Sequence, residues 1–515
     1  MTSRRRSRLF ALIAAVAAVP LLVAGCASSA APSSSSGDPK AGGTLKVGSP
    51  TPNATPEPVT MYDPGSINVV QQVAEYLIWS ENDGSLSPML ATDWTSNDDA
   101  TDWTVTLRDD VSFNDGSALT ADDVVASFER LIAPDSVSSA ASSFAGILSP
   151  GNATAGDGTV EFALDRPFAD FPYLLSSANY NTLILPAGYD GDFIKNPVGT
   201  GPFLLAGYDA NTGATFTKNP KYWGGDDVYL EGVDMSFYTD SAGMSSALLS
   251  RAIDVAAIVT YGSNQPLYKN DQVKLESTTS AGGTFLAMRT DTAPWDDVRV
   301  RQALALSLNR DDLLEAIQGG EGAVANDHIF SPIYGQDVDV PQREQDIPQA
   351  KKLLSAAGHP DGLSATLTAP QSASALAQVI QQQAAEAGFD LELDLQDDAT
   401  FYDAAWLEVP LGLTGWASRP TASQFLSLAF TSDAIWNTAH WNSPEFDDLV
   451  GQFESTTDED ARADLAQQIA TLMNDQVPQI ISTWPSVTIA MLPDVEGIPV
   501  NASSYAQLSH GWLDR

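Results

Sequence analysis

The chain has 515 residues, 43% of them hydrophobic, which suffices for about two or three packed units and excludes an acidic disordered chain. Against 66 Asp and Glu stand 25 Lys and Arg, a formal net charge of −41, and no basic cluster beyond the first ten residues is available to displace counterions from a nucleic acid. A single cysteine excludes a disulfide framework, an iron–sulfur cluster and a cysteine-built zinc site.

The N-terminus carries targeting chemistry. Arg4, Arg5, Arg6 and Arg8 precede an apolar run from Leu9 to Ala24, interrupted only by Pro20, that is too short and too rich in Ala for a good membrane span. The run ends Val23-Ala24-Gly25-Cys26, which resembles the bacterial lipobox, and the only cysteine stands where such a signal requires a thiol. An ordinary signal peptide with an incidental cysteine is the alternative. The spacing predicts a signal peptide over residues 1–25 and a flexible, Ser- and Gly-rich tether over 26–43. Lipidated Cys26 would then hold a globular body on the outer face of the cytoplasmic membrane.

In chain order, Gly43-Thr44-Leu45-Lys46-Val47-Gly48 and Asp102 to Arg108 alternate apolar and polar residues and predict strands. Asn114-Asp115-Gly116 predicts a turn. Thr120 with Asp123 predicts a capped helix with Val124, Val125, Phe128, Leu131 and Ile132 on one face. A helix is expected over Val298–Leu308, and Asn309 with Asp312 caps another through Leu313, Leu314 and Ile317. Asp346 caps a helix stopped by Gly358. Leu376 to Ala387 is helical to Gly388 and runs straight into a period-two strand over Phe389–Leu395. Thr457 with Asp460 opens a last helix. Helix, glycine, strand is the rhythm of an α/β sheet with covering helices.

No catalytic constellation emerges. The chain lacks a G-x-S-x-G elbow, an H-E-x-x-H pair and a G-x-x-x-x-G-K-[ST] phosphate loop. His328, His359, His440 and His510 share no helical spacing, and among so many carboxylates no pair stands out as an acid/base dyad. Neither a metal nor a cofactor is implied.

The order of short motifs resembles that of the bacterial extracellular solute-binding proteins of family 5, the peptide- and nickel-type binding components of ABC importers. The resemblance runs from about Gly43 to the C-terminus. It is carried by Ser87-Pro88-Met89-Leu90-Ala91 with Trp94, by Phe113-Asn114-Asp115-Gly116 with Ala121 to Ser127, and by Asn196-Pro197-Val198-Gly199-Thr200-Gly201-Pro202-Phe203. Asn219-Pro220-Lys221-Tyr222-Trp223 and Asp297 to Ala303 with Asn309-Arg310 continue the series. Most of these motifs read as turns, caps and packing, Arg299 and Arg301 included.

The resemblance implies a two-lobed periplasmic-binding-protein-like α/β fold with a hinge. The first lobe would combine 44–58, 195–281 and 486–515, with a subdomain inserted at 59–194, and the second lobe would span 282–485. Chain crossings near Gly282-Gly283 and Thr483-Trp484-Pro485 would form the hinge. A monomer would capture a peptide or other small organic solute between the lobes and deliver it to a permease and its ATPase. An extracellular sensor presenting its ligand to a membrane receptor is the alternative, and an extracellular hydrolase is disfavoured by the absent motifs.

One departure bears on the ligand. Peptide binders of the family carry G/N-W-x-x-D at the cleft, with the aspartate on the peptide's α-amino group. Here Gly415-Trp416-Ala417-Ser418-Arg419 puts Arg419 where the aspartate would be. A guanidinium repels an ammonium but clasps a carboxylate or phosphate. Arg419 either faces the cleft or points away to pair with one of the many acids. Trp436, Asn437 and Trp441, in a second family-like stretch, complete the expected ligand-binding set with Gly415, Trp416 and Ala417.

Overall fold

The computed structural model describes residues 38–502 and 506–515; the expected signal peptide, Cys26 and most of the tether lie outside them. The first strand forms over Thr44–Pro50, and its alternation buries Leu45 and Val47. It sits inside an eight-stranded sheet in the order Lys274–Thr279, Thr483–Met491, Val255–Val259, Thr44–Pro50, Gly232–Tyr238, Gly213–Lys218, Phe203–Asp209. Gly322–Val324 pairs beside Thr483–Met491. Thr44–Pro50 is parallel to both neighbours, and every other pairing in this sheet is antiparallel.

A five-stranded sheet follows the order Phe389–Gln396, Leu363–Pro370, Leu411–Trp416, Gly283–Met288, Gln479–Ile480. Helices Val298–Leu306, Ile347–Ala356 and Ser374–Ala387 cover it through Leu304, Leu354 and Ile380. A separate four-stranded antiparallel sheet, Ala91–Ser96, Asp102–Leu107, Thr159–Ala163, Ala153–Ala155, packs on helix Ala121–Ile132. Its core is aromatic: Phe162 meets Phe128 at 5.3 Å and Phe171 at 5.2 Å, both edge-on. Helices Ala422–Ala429, Pro444–Ser455 and Glu459–Gln476 build a fourth core with Phe425, Phe446 and Ile469. From Pro39 to Arg515 these pack as one unit, and no described helix is long and apolar enough to cross a membrane.

The expected caps form with specific chemistry. Asp123 accepts from the backbone N–H of Thr120 at 2.8 Å and from its hydroxyl at 2.7 Å, and its other oxygen takes Ala187 N–H at 2.8 Å. Asn309 and Asp346 each accept an N–H three residues on, at 3.1 and 2.9 Å. The last helix differs from expectation. It starts at Glu459, and Asp458 rather than Thr457 is the cap, accepting from Ala461 N–H at 2.9 Å. A carboxylate makes the stronger, charge-assisted bond to the helix N-terminus.

The family-like motifs are structural brackets. A Cβ on Gly199 would stand 2.1 Å from the Val73 carbonyl oxygen and one on Gly201 2.7 Å from the same carbonyl group, so this segment passes where no side chain fits. Tyr222 and Trp223 close over buried Glu75, donating from the phenol at 2.8 Å and the indole at 3.0 Å. Burial nevertheless pushes the Glu75 carboxyl up to about 7, these hydrogen bonds opposing it. Arg301 is buried and donates to the Gln476 and Trp295 carbonyls, whereas Arg299 pairs with Asp297 at the surface. Both arginines hold structure, as their places in the motif suggest.

Candidate functional site

Only Ser280-Ala281-Gly282 separates strand Lys274–Thr279 of the large sheet from Gly283–Met288 of the five-stranded one. The return path lies alongside. Strand Thr483–Met491 pairs with Gly322–Val324 through residues 483–485 and with Lys274–Thr279 through 486–491. Next to these crossings opens a cleft of about 800 Å³. Tyr62, Pro64, Ile67, Ser139 and Asn179 line one side, and Gly415 to Pro420 with Gln424 and Trp436 line the other. Ser280, Gly282 and Pro485 to Val487 belong to the lining as well.

Strand pairing brings the Trp416 loop to the crossings. Leu411–Trp416 runs antiparallel to Gly283–Met288 with Trp416 opposite Gly283, so the strand ends at the cleft. The approach is close. A Cβ on Gly282 would lie 2.6 Å from the Trp416 carbonyl oxygen and 2.7 Å from Ser418 N. Trp416 packs among Phe425, Trp406, Trp436 and Phe285, with ring centroids 5.4 to 6.4 Å away. The Tyr402 hydroxyl accepts from Gly415 N–H at 3.0 Å.

Of the residues expected at the site, Gly415, Trp416, Ala417, Arg419 and Trp436 line the cleft. The Arg419 guanidinium lies over the Trp436 ring at 5.4 Å, and its main-chain carbonyl accepts from the Tyr334 hydroxyl at 3.1 Å. Its buried Nε has no hydrogen-bond partner, and burial lowers its pKa from the ordinary arginine value. Asn437 and Trp441 lie away from the lining and brace the following turn instead. Asn437 donates to the Thr431 and Trp441 carbonyls at 3.1 and 2.8 Å and accepts from Trp441 N–H at 3.0 Å, while the Trp441 ring packs on Phe446 at 4.5 Å.

The cleft's charge is unlike that of the chain. At the chain's average acid content about three of its lining residues would be Asp or Glu; among the described residues none is, and Arg419 is the one charged residue of the lining. Two further lining groups carry unpartnered buried polar atoms, the Trp416 Nε1 and both ends of the Gln424 amide. Glu81 lines a small pocket that Arg419 shares, its carboxylate accepting from the Ser87 hydroxyl at 2.7 Å, and Asp170 lines another beside Pro420. Among the described residues no group of three His, Cys, Asp or Glu is placed to hold a metal ion.

Sequence patterns do not single out Gln424 or the opposite wall at Tyr62, Ser139 and Asn179. Tyr62, Ser139 and Asn179 are brought to Arg419 across more than two hundred positions of chain, whereas Gln424 stands five residues beyond it in the same family-like stretch; no local period marks any of them as lining.

A cleft between two sheet-centred lobes, joined by adjacent crossings, defines a bilobal solute-binding protein. The chain belongs to the bacterial extracellular solute-binding proteins of family 5, whose middle-region model matches residues 85–437. It is 26% identical to the heme-binding protein A of Haemophilus influenzae over 455 residues, 82% of each chain. It is also 26% identical to the dipeptide-binding protein of Escherichia coli over 479 residues, 86% of this chain and 88% of that one. The solved structure of HbpA2 from Haemophilus parasuis superimposes with a TM-score of 0.81 at 24% identity, covering 92% of this chain and all of the other.

Proposed function

We propose that this chain is the substrate-binding lipoprotein of an ABC importer, which captures a peptide or other small organic solute between its lobes and hands it to a membrane permease and ATPase. The observation that carries this reading is the two-walled cleft at the crossings. Its volume of about 800 Å³ lies within the range usual for small-ligand sites, roughly 300–1,000 Å³. Segments 44–58, 195–281 and 486–515 form the first lobe, 59–194 its inserted subdomain and 282–485 the second lobe. Gly282-Gly283 and Thr483-Trp484-Pro485 act as the hinge, a reading supported by the single strand Thr483–Met491 pairing on both sides of it. The monomer is held to the outer face of the membrane through diacylated Cys26. Gly415, Trp416, Ala417, Arg419 and Trp436 contact the solute, while Asn437 and Trp441 hold the loop that presents Trp436.

Relatives named for heme and for dipeptides share this family, so the solute is set by the cleft rather than by the fold. Mass spectrometry of small molecules released on denaturing the purified protein identifies the cargo. Added back, it raises the melting temperature by mass action, by about 2.7 kcal/mol of stabilisation at a hundredfold excess over Kd, and shrinks the radius of gyration as the lobes close. A tightly bound cargo that moves neither observable overturns the hinged-binder reading.

A further inference from the structure

The charge inventory of the cleft narrows the solute. A free ammonium group buried between the lobes needs a carboxylate partner, since an unpaired buried charge is strongly destabilising. Among the described residues the cleft lining offers hydroxyls, carbonyls and rings but no carboxylate, in a chain with 66 of them. Arg419 is the converse case. Its guanidinium stands in the cleft wall over Trp436 with its Nε unpartnered, so a ligand anion supplies the countercharge the protein withholds. Gln424, only 5% exposed, presents an unpartnered amide in the same wall, and Trp416 an unpartnered indole N–H. A carboxylate accepts about four hydrogen bonds, which matches this set of donors. One guanidinium balances one negative charge, whereas a phosphate dianion would leave an excess inside an already acidic protein.

We infer that the solute is an organic carboxylate without a free ammonium group, its carboxylate seated on Arg419 and its body against Trp416, Trp436 and Tyr62. The inference rests on the solute-binding reading above and deepens it. An N-blocked peptide or acylated amino acid has this chemistry. A free dipeptide does not.

The test uses the purified mature chain and one dipeptide, Ala-Phe, in four forms: free amino or N-acetylated at one end, acid or amide at the other. They are screened by thermal shift beside the small molecules released from the protein, and binders are measured by titration calorimetry on wild type, Arg419→Gln and Glu81→Gln. The expected binders carry a carboxylate and no ammonium. Arg419→Gln weakens them roughly 10- to 150-fold, the loss of a charge-assisted hydrogen bond, and amidation of the carboxylate does the same. Glu81→Gln leaves them unchanged. The inference is overturned if a free-amino form or an ammonium-bearing released molecule binds better than its blocked counterpart, above all if Glu81→Gln then weakens it. It is equally overturned if Arg419→Gln, with an unaltered circular dichroism spectrum, binds as tightly as wild type. If nothing is released and no form shifts the melting temperature, the solute-binding reading itself fails.

Discussion

Asp170 and Arg462, 292 positions apart, make the ion pair most exposed to a decisive perturbation. Asp170 directly precedes helix Phe171–Leu174 of the four-stranded-sheet core, and Arg462 stands on helix Glu459–Gln476 of the helical core. Arg462 Nη2 reaches Asp170 Oδ2 at 2.5 Å with side chains only 12% and 8% exposed, and the Ser423 hydroxyl donates to the same oxygen at 2.5 Å. Arg462 also lies 4.0 Å from the Phe453 ring and donates to the Phe453 and Thr456 carbonyls. Arg462→Met keeps the stem on Phe453 and removes the charge, leaving Asp170 buried with one hydroxyl donor. Removing one partner of a buried pair costs about 3–5 kcal/mol, against about 0–1 for a surface pair. The double variant Asp170→Asn with Arg462→Met is expected to recover much of this, because no charge is then stranded. Urea denaturation of the four proteins of the cycle, followed by tryptophan fluorescence and by circular dichroism, measures both numbers. A single-variant loss below about 1 kcal/mol, or a double variant as unstable as the sum of the singles, refutes the reasoning.

Glu75 gives a pH signature. Its folded pKa near 7 lies above the ordinary value of 4.5, so the native state keeps a proton that the unfolded chain releases, and stability falls as pH rises from about 4.5 to 7. Glu75's own contribution to the drop is roughly 3 kcal/mol at 1.36 kcal/mol per unit, read as the difference between wild type and Glu75→Gln in urea titrations at pH 5 and 8. His328, pushed down to about 4 by burial, works in the opposite sense: its contribution is lost as pH falls from 6.5 towards 4, so the two partly cancel in the wild type. Gly199→Ala forces a methyl group onto the Val73 carbonyl and is expected to give insoluble or at least 3 kcal/mol less stable protein, in the range of severe backbone and overpacking defects; wild-type melting of that variant refutes the close approach. Cys26→Ser is expected to move the protein from the detergent phase to the aqueous phase or leave it unprocessed, and unchanged partitioning refutes the lipobox reading.

Local elements were legible wherever a side chain reports on its own neighbourhood. Thr120 with Asp123 and Asn309 with Asp312 are each written within four residues and the helix–Gly388–strand unit within about twenty, and each forms as read. Thr457 misled by one position because two oxygen-bearing side chains stood side by side and the carboxylate took the cap. Family motifs named the fold, yet their physical content was hidden: Gly199 matters for Val73, and Tyr222 with Trp223 for Glu75, contacts that no spacing encodes. Trp416 and Arg419 were visible as a departure from a pattern. The acid-free lining they share with Tyr62 and Asn179 was not, since it is a property of residues that only the folded chain collects.

The strand Thr483–Met491 fills the slot between Val255–Val259 and Lys274–Thr279, pairing Met491 with both Val255 and Lys274. Until the last stretch of the polypeptide has been made, the large sheet has a gap beside Val255–Val259, the neighbour of its first strand. Pairings so distant in sequence form slowly, because the loop between them must close before any contact rewards it. For a member of an extracellular family this order would suit a chain that crosses a membrane before it folds, because the large sheet stays incomplete until Thr483–Met491 is present.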